Sequence, residues 1–503
     1  MKLKNGNIKI GILLSYVLLI FNTTYGLFIT PFILKNVGAV SYGVYKSVSS
    51  LSATIAIMDL GLGSTTTRYM ARYNANKDRK EAGNFLAMMF LQFLFVAVLV
   101  FCAGTAIYYL TPSIYQNTFS SEDIALAKKL ILFLIINMIL RMFEHLLMGV
   151  ANGYEKFVFA NLLKLVGIFL KITLILLLLP ATKNVMLLVT LETVILCVSI
   201  AIIFIYMILE IKVVPRLHRW DNIVFKESFG YTALMFVQTI TVQFNGNVDN
   251  ILIGAQIGAT SVTVYSMALM IYAMYQNLSG SVANVMLPNI TRKVVANAPS
   301  EQLQKTVEKA GRMQFFLLGA ALGGFIVLGK EFYSLWLGDS FSDCYYLTLI
   351  LIIPVTITMS QNVALSVLRA KNKMGYRTVT LAISCVINIV VSVIGICIFG
   401  YWGAAIGTAV STVANLIFMN VYYSKVLKFK VFKMLYAIMG KTLICVVAAT
   451  VVTFLAHLFI QGTWFHFALN VAIFCIVYFL LLVFISFTTE ERNKVFAMVR
   501  RKK

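Results

Sequence analysis

Long apolar stretches, separated by short polar breaks, run through the whole sequence. Fourteen stretches can be placed, at 10–34, 41–67, 84–110, 128–150, 158–180, 186–209, 228–257, 261–289, 313–337, 345–368, 375–399, 402–424, 437–460 and 466–488. A helix of about 20 apolar residues crosses a bilayer, and helices are expected because unpaired backbone groups in hydrocarbon cost several kcal/mol. The stretches are too long and too uniformly apolar for barrel strands. The pattern predicts an all-α polytopic membrane protein with about 14 transmembrane helices.

The polar breaks alternate in their content of basic residues. One set is rich in Lys and Arg, as between Arg72 and Lys80, between Arg292 and Arg312, and in the tail from Arg500 to Lys503. The alternate set holds few cations, among them Lys183 and Lys330. Basic breaks face the cytoplasm by the positive-inside rule. With an even number of spans, both termini are predicted to be cytoplasmic.

One octet occurs twice in the chain. The pattern G-A-x-S-x-x-V-Y runs from Gly38 to Tyr45 and again from Gly258 to Tyr265, 220 residues later. The same offset brings the fourth and fifth apolar stretches close to the tenth and eleventh. Units of six helices insert in the same sense, so a pseudo-two-fold axis would run along the membrane normal. The prediction is an N-lobe at 1–210 (helices 1–6), a C-lobe at 211–424 (helices 7–12), and helices 13–14 with a basic tail at 425–503.

Composition narrows the class of protein. Of the 503 residues, 60% are hydrophobic and 12% are charged, whereas a soluble domain has about 25% charged residues. A soluble enzyme is therefore excluded. The net charge of +23 resides in the breaks between spans, so it indicates membrane orientation and no nucleic-acid partner. The His and Cys spacings indicate no metal site, and the sequence lacks the G-x-x-x-x-G-K-[ST] motif for ATP.

Charged residues deep in the apolar stretches are the candidates for function, since a charge at mid-bilayer costs about 2.5–3.5 kcal/mol. Lys171 lies about 20 Å into its stretch at 1.5 Å per residue, and Lys164 precedes it by one heptad. Arg141 is similarly deep in the fourth stretch, and Lys46 enters with the second. These four cations predict a basic cavity in the N-terminal half of the chain.

Structural roles are the alternatives for these cations. Lys46 is also compatible with snorkelling to the interface. Arg141 is also compatible with a structural pair, because Glu144 and His145 follow at i+3 and i+4. Both alternatives stay open at the level of sequence.

Three polar stripes mark the spans that begin the two repeats. Gln238, Asn245 and Asp249 recur at helical spacing in the seventh stretch, Tyr265 and Tyr272 in the eighth, and Asn22 belongs to the first. Such stripes often join membrane helices to one another. Hydroxyl, amide and aromatic groups around one cavity also suit sugars, so Asn22, Gln238, Asn245, Tyr265 and Tyr272 are predicted to contact a sugar.

Three segments match the sequence pattern of a known family: Ser41 to Tyr45, Met58 to Ser64 and Thr67 to Tyr73. Thr30-Pro31 and Val37-Gly38 upstream belong to the same pattern. They resemble the Wzx-type polysaccharide flippases of the multidrug/oligosaccharidyl-lipid/polysaccharide exporter superfamily, over essentially the whole chain in length and in its two-lobed, MATE-like plan.

The resemblance implies a function. Such a protein moves an undecaprenyl-diphosphate-linked oligosaccharide from the inner to the outer leaflet of the bacterial cytoplasmic membrane by alternating access, for cell-surface polysaccharide assembly. Its partners would be the lipid-linked oligosaccharide, membrane lipids and the polysaccharide polymerase machinery. A cationic lumen is implied, for which Lys46, Arg141, Lys164 and Lys171 are the candidates.

Coupling and competing functions remain open in the sequence. No cofactor is expected; H+ or Na+ coupling would need a titratable group, for which Glu144, Glu192 and Asp249 are the candidates, and membrane potential is an equal contender. A cation-coupled drug exporter of the same superfamily would need an acidic cavity, yet the deep charges are mostly basic. A membrane-embedded polymerase would need a large external loop, and the longest, at 111–127, lacks His and Arg.

Overall fold

A computed structural model describes Leu14, Leu18, Phe21 and residues 25–55, 62–222, 246–371, 373–489 and 491–493. Throughout this part of the chain every regular element is a helix. Ten of the helices described there are long and apolar enough to cross a membrane. The predicted all-α polytopic membrane fold is therefore confirmed, while the number of about 14 spans stays a prediction.

The first of two compact units comprises residues 1–263. Its helices are α1 (25–37), α2 (Ala39–Ile55), α3 (Leu62–Ala75), α4 (Arg79–Tyr115), α5 (Ser121–Gly153), α6 (Phe157–Thr182), α7 (Met186–Tyr206) with a π-helical turn at Met207–Ile211, and α8 (246–256).

The second unit comprises residues 264–503. Its helices are most of α9 (Ala259–Val295), α10 (Ser300–Leu337), a 3-10 turn at Asp339–Phe341, α11 (Asp343–Ser360), α12 (Asn362–Ala370), α13 (Gly375–Phe399), α14 (Tyr401–Val426), α15 (Val431–His457) and α16 (Trp464–Leu481) with a π-helical turn at Leu482–Ser486. The division into lobes at 210 and 424 stays a prediction.

Polar caps extend several helices beyond the apolar stretches that predicted them. The Asp78 side chain accepts a 3.0 Å hydrogen bond from the backbone of Glu81 and begins α4. Ser120 and Asp123 form a capping box at the start of α5. Each cap satisfies backbone N–H groups that the first turn leaves without partners. The apolar stretch thus marks the membrane-crossing part, and the caps mark the ends.

The core of the first unit lies between α3, α4 and α5. Met70, Phe85 and Phe93 are buried there with residues of α5 such as Leu146. Gly149 allows close approach, since a Cβ atom there would lie 2.7 Å from the carbonyl oxygen of Gly63. Lipid tails are as apolar as leucine, so close packing rather than the hydrophobic effect holds such helices together.

The segment after α7 is fastened to the start of α4. Residues 212–221 have no helical structure. The buried Asn84 accepts hydrogen bonds from the backbone N–H groups of His218 (2.6 Å) and Arg219 (2.9 Å), and its amide donates to the Arg219 carbonyl (2.8 Å). Gly83 adds a carbonyl that accepts from Arg216 N at 3.1 Å. Four hydrogen bonds therefore fix the first part of the connection between the predicted lobes.

The repeated octet has the same local structure at both places. Gly38 and Gly258 have positive φ angles of 81° and 129°, which favour glycine, and a helix begins at the following alanine in each case. The two copies also meet, because the Thr263 hydroxyl donates a 2.6 Å hydrogen bond to the carbonyl of Ala39. The repetition in sequence therefore corresponds to a repetition in backbone conformation.

In the second unit, glycines bring α13 and α14 into backbone contact. A Cβ atom on Gly395 would lie 2.9 Å from the Cα atom of Gly403, and one on Gly403 would collide with the backbone of Gly395. Gly407 faces Ser392 in the same way. The contact of these two helices depends on the absence of side chains.

The chain after α16 is fastened to α10. Arg312 forms a 2.6 Å ion pair with Glu491, and Glu491 also accepts a 2.9 Å hydrogen bond from the backbone of Thr488. Burial alone would raise the pKa of the Glu491 carboxyl, but the bonds from Thr488 and Arg312 hold this pKa below its ordinary value. A carboxyl with a lowered pKa stabilises the folded state when it is charged.

We predict that Gly403→Val destabilises the second unit by about 1–3 kcal/mol, the usual cost of overpacking, because the new side chain has no space between the helices. Gly375→Val is the matched control, since a Cβ atom there meets nothing within 4 Å. Thermal unfolding in detergent, followed by size-exclusion chromatography, measures both. Equal melting temperatures for the two variants would contradict the packing argument.

We also predict that the attachment of residues 488–493 is pH-dependent. It should be complete above the unfolded pKa of glutamate, about 4.3, and should weaken as the pH falls through the lower folded pKa of Glu491. Hydrogen exchange at Thr488 and Glu491 across this range measures the attachment. Arg312→Gln should raise the exchange at neutral pH, whereas Arg292→Gln removes the same charge elsewhere and should not. Protection that is independent of pH would contradict the role of Glu491.

Candidate functional site

A cavity of about 580 Å³ lies inside the first unit, between α1, α5, α6 and α7. Its polar lining comprises Tyr25, Arg141, Glu144, His145, Asn161, Lys164, Lys171, Glu192 and Ser199. Helix α6 also exposes apolar side chains that do not line the cavity, such as Leu162 and Leu177, as expected of a surface in contact with lipid. Helix α6 therefore has an apolar side toward the membrane and a polar side toward the cavity.

One carboxylate in this cavity is shared by two cations. Glu192 Oε1 accepts a hydrogen bond from Arg141 Nη2, and Oε2 accepts one from Lys171 Nζ. The side chains of Lys171 and Glu192 are 26% and 18% exposed, whereas that of Arg141 is 51% exposed. Both oxygens of the carboxylate thus bind a cation, and the group of three carries one net positive charge.

All three groups lie at a similar depth. Helices α5 and α6 are joined by a short turn, so the end of α5 and the start of α6 lie on the same side, and α7 returns to that side. Arg141, Lys171 and Glu192 are 12, 14 and 14 residues from those ends. At 1.5 Å per residue these distances are about 18, 21 and 21 Å. The charges therefore lie well inside the span.

Three further hydrogen bonds set the register of α5 against α7. The Thr193 hydroxyl donates to Asn137 Oδ1 at 2.6 Å, and the amide of Asn137 donates to the Val189 carbonyl at 3.0 Å. The Ser199 hydroxyl donates to Glu144 Oε1 at 2.7 Å. These contacts lie on either side of the Arg141–Glu192 pair, so the packing of α5 on α7 places that pair in the cavity.

The structure brings together most of the predicted charged residues. Arg141, Lys164 and Lys171 all line the cavity, with Glu144 and Glu192. Arg141 pairs with Glu192 across the helices, rather than with Glu144 one turn away as the local alternative had it. Lys46 lies outside this lining; its ammonium group is 5.4 Å and 5.9 Å from the ring centres of Tyr42 and Tyr45.

Of the five residues predicted to contact a sugar, the structure describes two. Asn22, Gln238 and Asn245 lie outside the described residues. Tyr265 is fully buried, and Tyr272 packs against a cluster around Tyr275 and Leu318. Their role in binding sugar stays a prediction.

Polar groups of α8 and α9, the helices of these two stripes, also join helices. The Tyr275 hydroxyl bonds to Thr356 at 2.6 Å, and the Ser279 hydroxyl donates to the Met359 carbonyl at 3.1 Å. Asp249 is buried next to Asn250, and the Asn250 amide donates to Ser50 at 3.1 Å. These hydrogen bonds join helices to one another. That is the alternative role that the sequence leaves open for such stripes.

Three polar residues of the cavity were not among the predicted site residues: Tyr25, Asn161 and Ser199. Helical spacing could have found them. Asn161 precedes Lys164 by three residues, and Ser199 follows Glu192 by one heptad. Tyr25 follows Asn22 by three residues. A search for residues on the same helix face as each deep charge and each residue of the polar stripes would have included all three.

Metal binding has no support in the described ranges. Across these ranges, no group of three His, Cys, Asp or Glu side chains is arranged to hold a metal ion. The cavity instead offers cations, carboxylates, hydroxyls and one amide, which are groups that bind an anionic and hydroxylated molecule through hydrogen bonds and charge.

Solved structures with a similar fold are membrane flippases and transporters. A structure of the lipid II flippase MurJ in an inward closed conformation aligns with a TM-score of 0.72 and 15% identity, over 94% of this chain and 98% of that one. An inward-facing multidrug resistance MATE family transporter of the MOP superfamily aligns with a TM-score of 0.65 and 15% identity, over 81% and 95% of the two chains. The chain thus has the fold of MurJ and MATE transporters.

A curated relative agrees with this class. The "Probable low-salt glycan biosynthesis flippase Agl15" of Haloferax volcanii is 27% identical over 203 residues, which are 40% of this chain and 43% of the relative. The match therefore spans less than half the length of that relative. The relatives are flippases and transporters rather than enzymes.

The sequence model of one protein family matches residues 42–346, more than half of the chain. The matched range begins within α2, inside the first repeated octet, and includes the helices α5, α6 and α7 that hold the three paired charges. The family match and the fold agree with the resemblance seen in the sequence. The chain belongs to the polysaccharide biosynthesis protein family and is a multi-pass membrane protein with the fold of the MurJ flippase and MATE transporters.

Proposed function

We propose that this protein moves a lipid-diphosphate-linked oligosaccharide from the cytoplasmic to the outer leaflet of the bacterial plasma membrane, by alternating access and with both termini in the cytoplasm. Its direct partners are then the lipid-linked oligosaccharide and the surrounding lipids, and the polysaccharide polymerase machinery acts on its product. The pair of cations deep in the cavity of the first unit is the observation that supports this substrate.

Charge explains why such a substrate needs this cavity. A diphosphate that joins a lipid to a sugar carries one negative charge on each phosphorus. Left unpaired in hydrocarbon, these charges would face a penalty of tens of kcal/mol. Arginine binds phosphate oxygens in a bidentate manner, and lysine acts as a point charge. Arg141 and Lys171 supply one of each, at a depth where lipid alone would exclude the anion.

The shape of the substrate fits the two sides of α6. The polyprenyl tail stays in hydrocarbon, which the exposed apolar side of α6 already contacts. The sugars need hydrogen bonds, and Tyr25, Asn161 and Ser199 provide hydroxyl and amide groups in the same cavity as the cations. We extend the sugar-binding proposal to these three residues, beside the five predicted from sequence.

Coupling to H+ or Na+ forms part of the proposal. Glu144 and Glu192 line the cavity, and Asp249 is buried in α8. A carboxylate that can lose its partner is a suitable coupling group, because its charge state then depends on the conformation. Glu144 and Glu192 are favoured over Asp249, since they line the same cavity as the proposed diphosphate site.

We predict that Lys171→Ala abolishes translocation, because the diphosphate then lacks one of its two counter-charges, whereas Lys171→Arg retains most of it. Export of surface polysaccharide in the host, corrected for protein level, measures both variants. Lys183→Ala is the control: it removes the same side chain from the end of α6, outside the cavity. Normal export by Lys171→Ala would refute the charge role.

We further predict that depletion of the protein leaves the intact lipid-linked oligosaccharide on the cytoplasmic leaflet. Protection of the sugar from an external glycosidase or lectin, before and after membrane permeabilisation, measures its sidedness. Short units on the outer face would show that they cross without being joined, and the protein would then act after translocation. Intracellular accumulation of a cationic dye with normal glycan sidedness would instead indicate a drug exporter.

A further inference from the structure

We infer that Glu192 is an internal counter-ion that occupies the diphosphate site when the protein is empty, and that substrate binding displaces it. The inference rests on the proposed function, since it concerns the regulation of the same site. It assigns to Glu192 the control of affinity and of release, which is distinct from binding the substrate itself.

The geometry of the carboxylate supports this role. Arg141 donates to one oxygen of Glu192 and Lys171 donates to the other, so the carboxylate bridges the two cations as a phosphate group would. A carboxylate and a phosphate group present oxygens of the same charge to the same donors. The arrangement in the empty cavity therefore imitates the arrangement that a bound diphosphate would have.

Charge balance gives the reason for displacement. Two cations and one carboxylate present a single positive charge, which leaves a diphosphate diester with one unbalanced negative charge. When Glu192 moves away, Arg141 and Lys171 present two positive charges to two negative ones. Arg141 and Lys171 can thus neutralise the substrate fully only after it has replaced Glu192. Lys164 is exposed in the same cavity, and it is a cation to which the displaced carboxylate can turn.

Helices α5 and α7 are held in register by hydrogen bonds other than the ion pairs of Glu192. The Thr193–Asn137 and Ser199–Glu144 hydrogen bonds, of 2.6 Å and 2.7 Å, hold α7 to α5 on either side of it. Glu192 can therefore exchange partners while α5 and α7 stay packed. A carboxylate that served only to join helices would have no need of two cations at once.

The counter-ion matters for transport when the protein holds no substrate. After release of its substrate, a transporter with alternating access has to return to the inward-facing conformation with the site vacant. Two uncompensated cations at this depth would be costly, by about 2.5–3.5 kcal/mol for each charge on the insertion scale. Glu192 neutralises one of these charges and so permits both release and return.

The test compares Glu192→Gln with wild type in the purified full-length protein. The probe is farnesyl diphosphate, with farnesyl phosphate as the singly phosphorylated control. We expect Glu192→Gln to bind farnesyl diphosphate at least about tenfold more tightly, which corresponds to about 1.4 kcal/mol, with a smaller gain for the monophosphate. Glu192→Asp should stay close to wild type. Glu210→Gln removes a carboxylate of the same unit outside the cavity and should not change the affinity.

Turnover provides the second readout. In the host, with translocation measured against the level of lipid-linked substrate, Glu192→Gln should lower both the half-saturating level and the maximal rate, because the substrate binds better and leaves more slowly. A melting temperature close to that of wild type establishes that the variant is folded. If Glu192→Gln does not fold, Glu192→Asp and Glu192→Ser are compared instead. Glu192→Asp keeps the carboxylate, whereas Glu192→Ser removes it and is expected to bind farnesyl diphosphate more tightly.

The outcomes separate this inference from the proposed function. If wild type binds the diphosphate, Lys171→Ala weakens binding and a folded Glu192→Gln does not tighten it, only the counter-ion role is refuted. Weaker binding by Glu192→Gln would likewise overturn it and assign Glu192 a supporting role for its cations. If wild type does not bind the diphosphate and Lys171→Ala exports normally, the proposed site fails, and the counter-ion inference fails with it.

Discussion

The need to pair every charge inside hydrocarbon is the constraint on which the rest of this structure depends. A cation at the depth of Arg141 or Lys171 is costly unless a partner accompanies it, and here both cations share Glu192. The pairing requires α5, α6 and α7 to meet at one level. The hydrogen bonds of Asn137 and Glu144 then keep the helices in that register. The site and the packing of this bundle are therefore parts of one arrangement.

Two of the kinds of contact between helices differ in their consequence for motion. Around the cavity, α5 and α7 meet through polar groups that can exchange partners. In the second unit, α13 and α14 meet through Gly395 and Gly403, where any side chain would collide with backbone. Glycine contacts are close and specific, so they favour movement as a rigid pair. Contacts through charged groups can instead respond to an anion, which is the property that a translocation site requires.

Local patterns in the sequence predicted the helices and the deep cations. They could not predict which carboxylate pairs with each cation. The apolar stretches marked most helices, and 375–399 coincides with α13; the polar caps at Asp78 and Ser120 explain the longer α4 and α5. Spacing along one helix offered Glu144 as the partner of Arg141. The actual partner, Glu192, is 51 residues away, and only the packing of α5 on α7 brings it near. Pairing across helices has no signature in the sequence of a single helix.

The charge inventory of the cavity also bears on how a transporter avoids holding its substrate too firmly. Three cations and two carboxylates line it, a net of one positive charge against the two negative charges of a diphosphate diester. A cavity with cations alone would bind more tightly, yet tight binding of the ground state does not speed a cycle that ends in release. The carboxylates would lower the affinity for the proposed substrate without removing the donors that would bind its phosphates. A site of mixed charge is therefore better suited to translocation than one that is purely cationic.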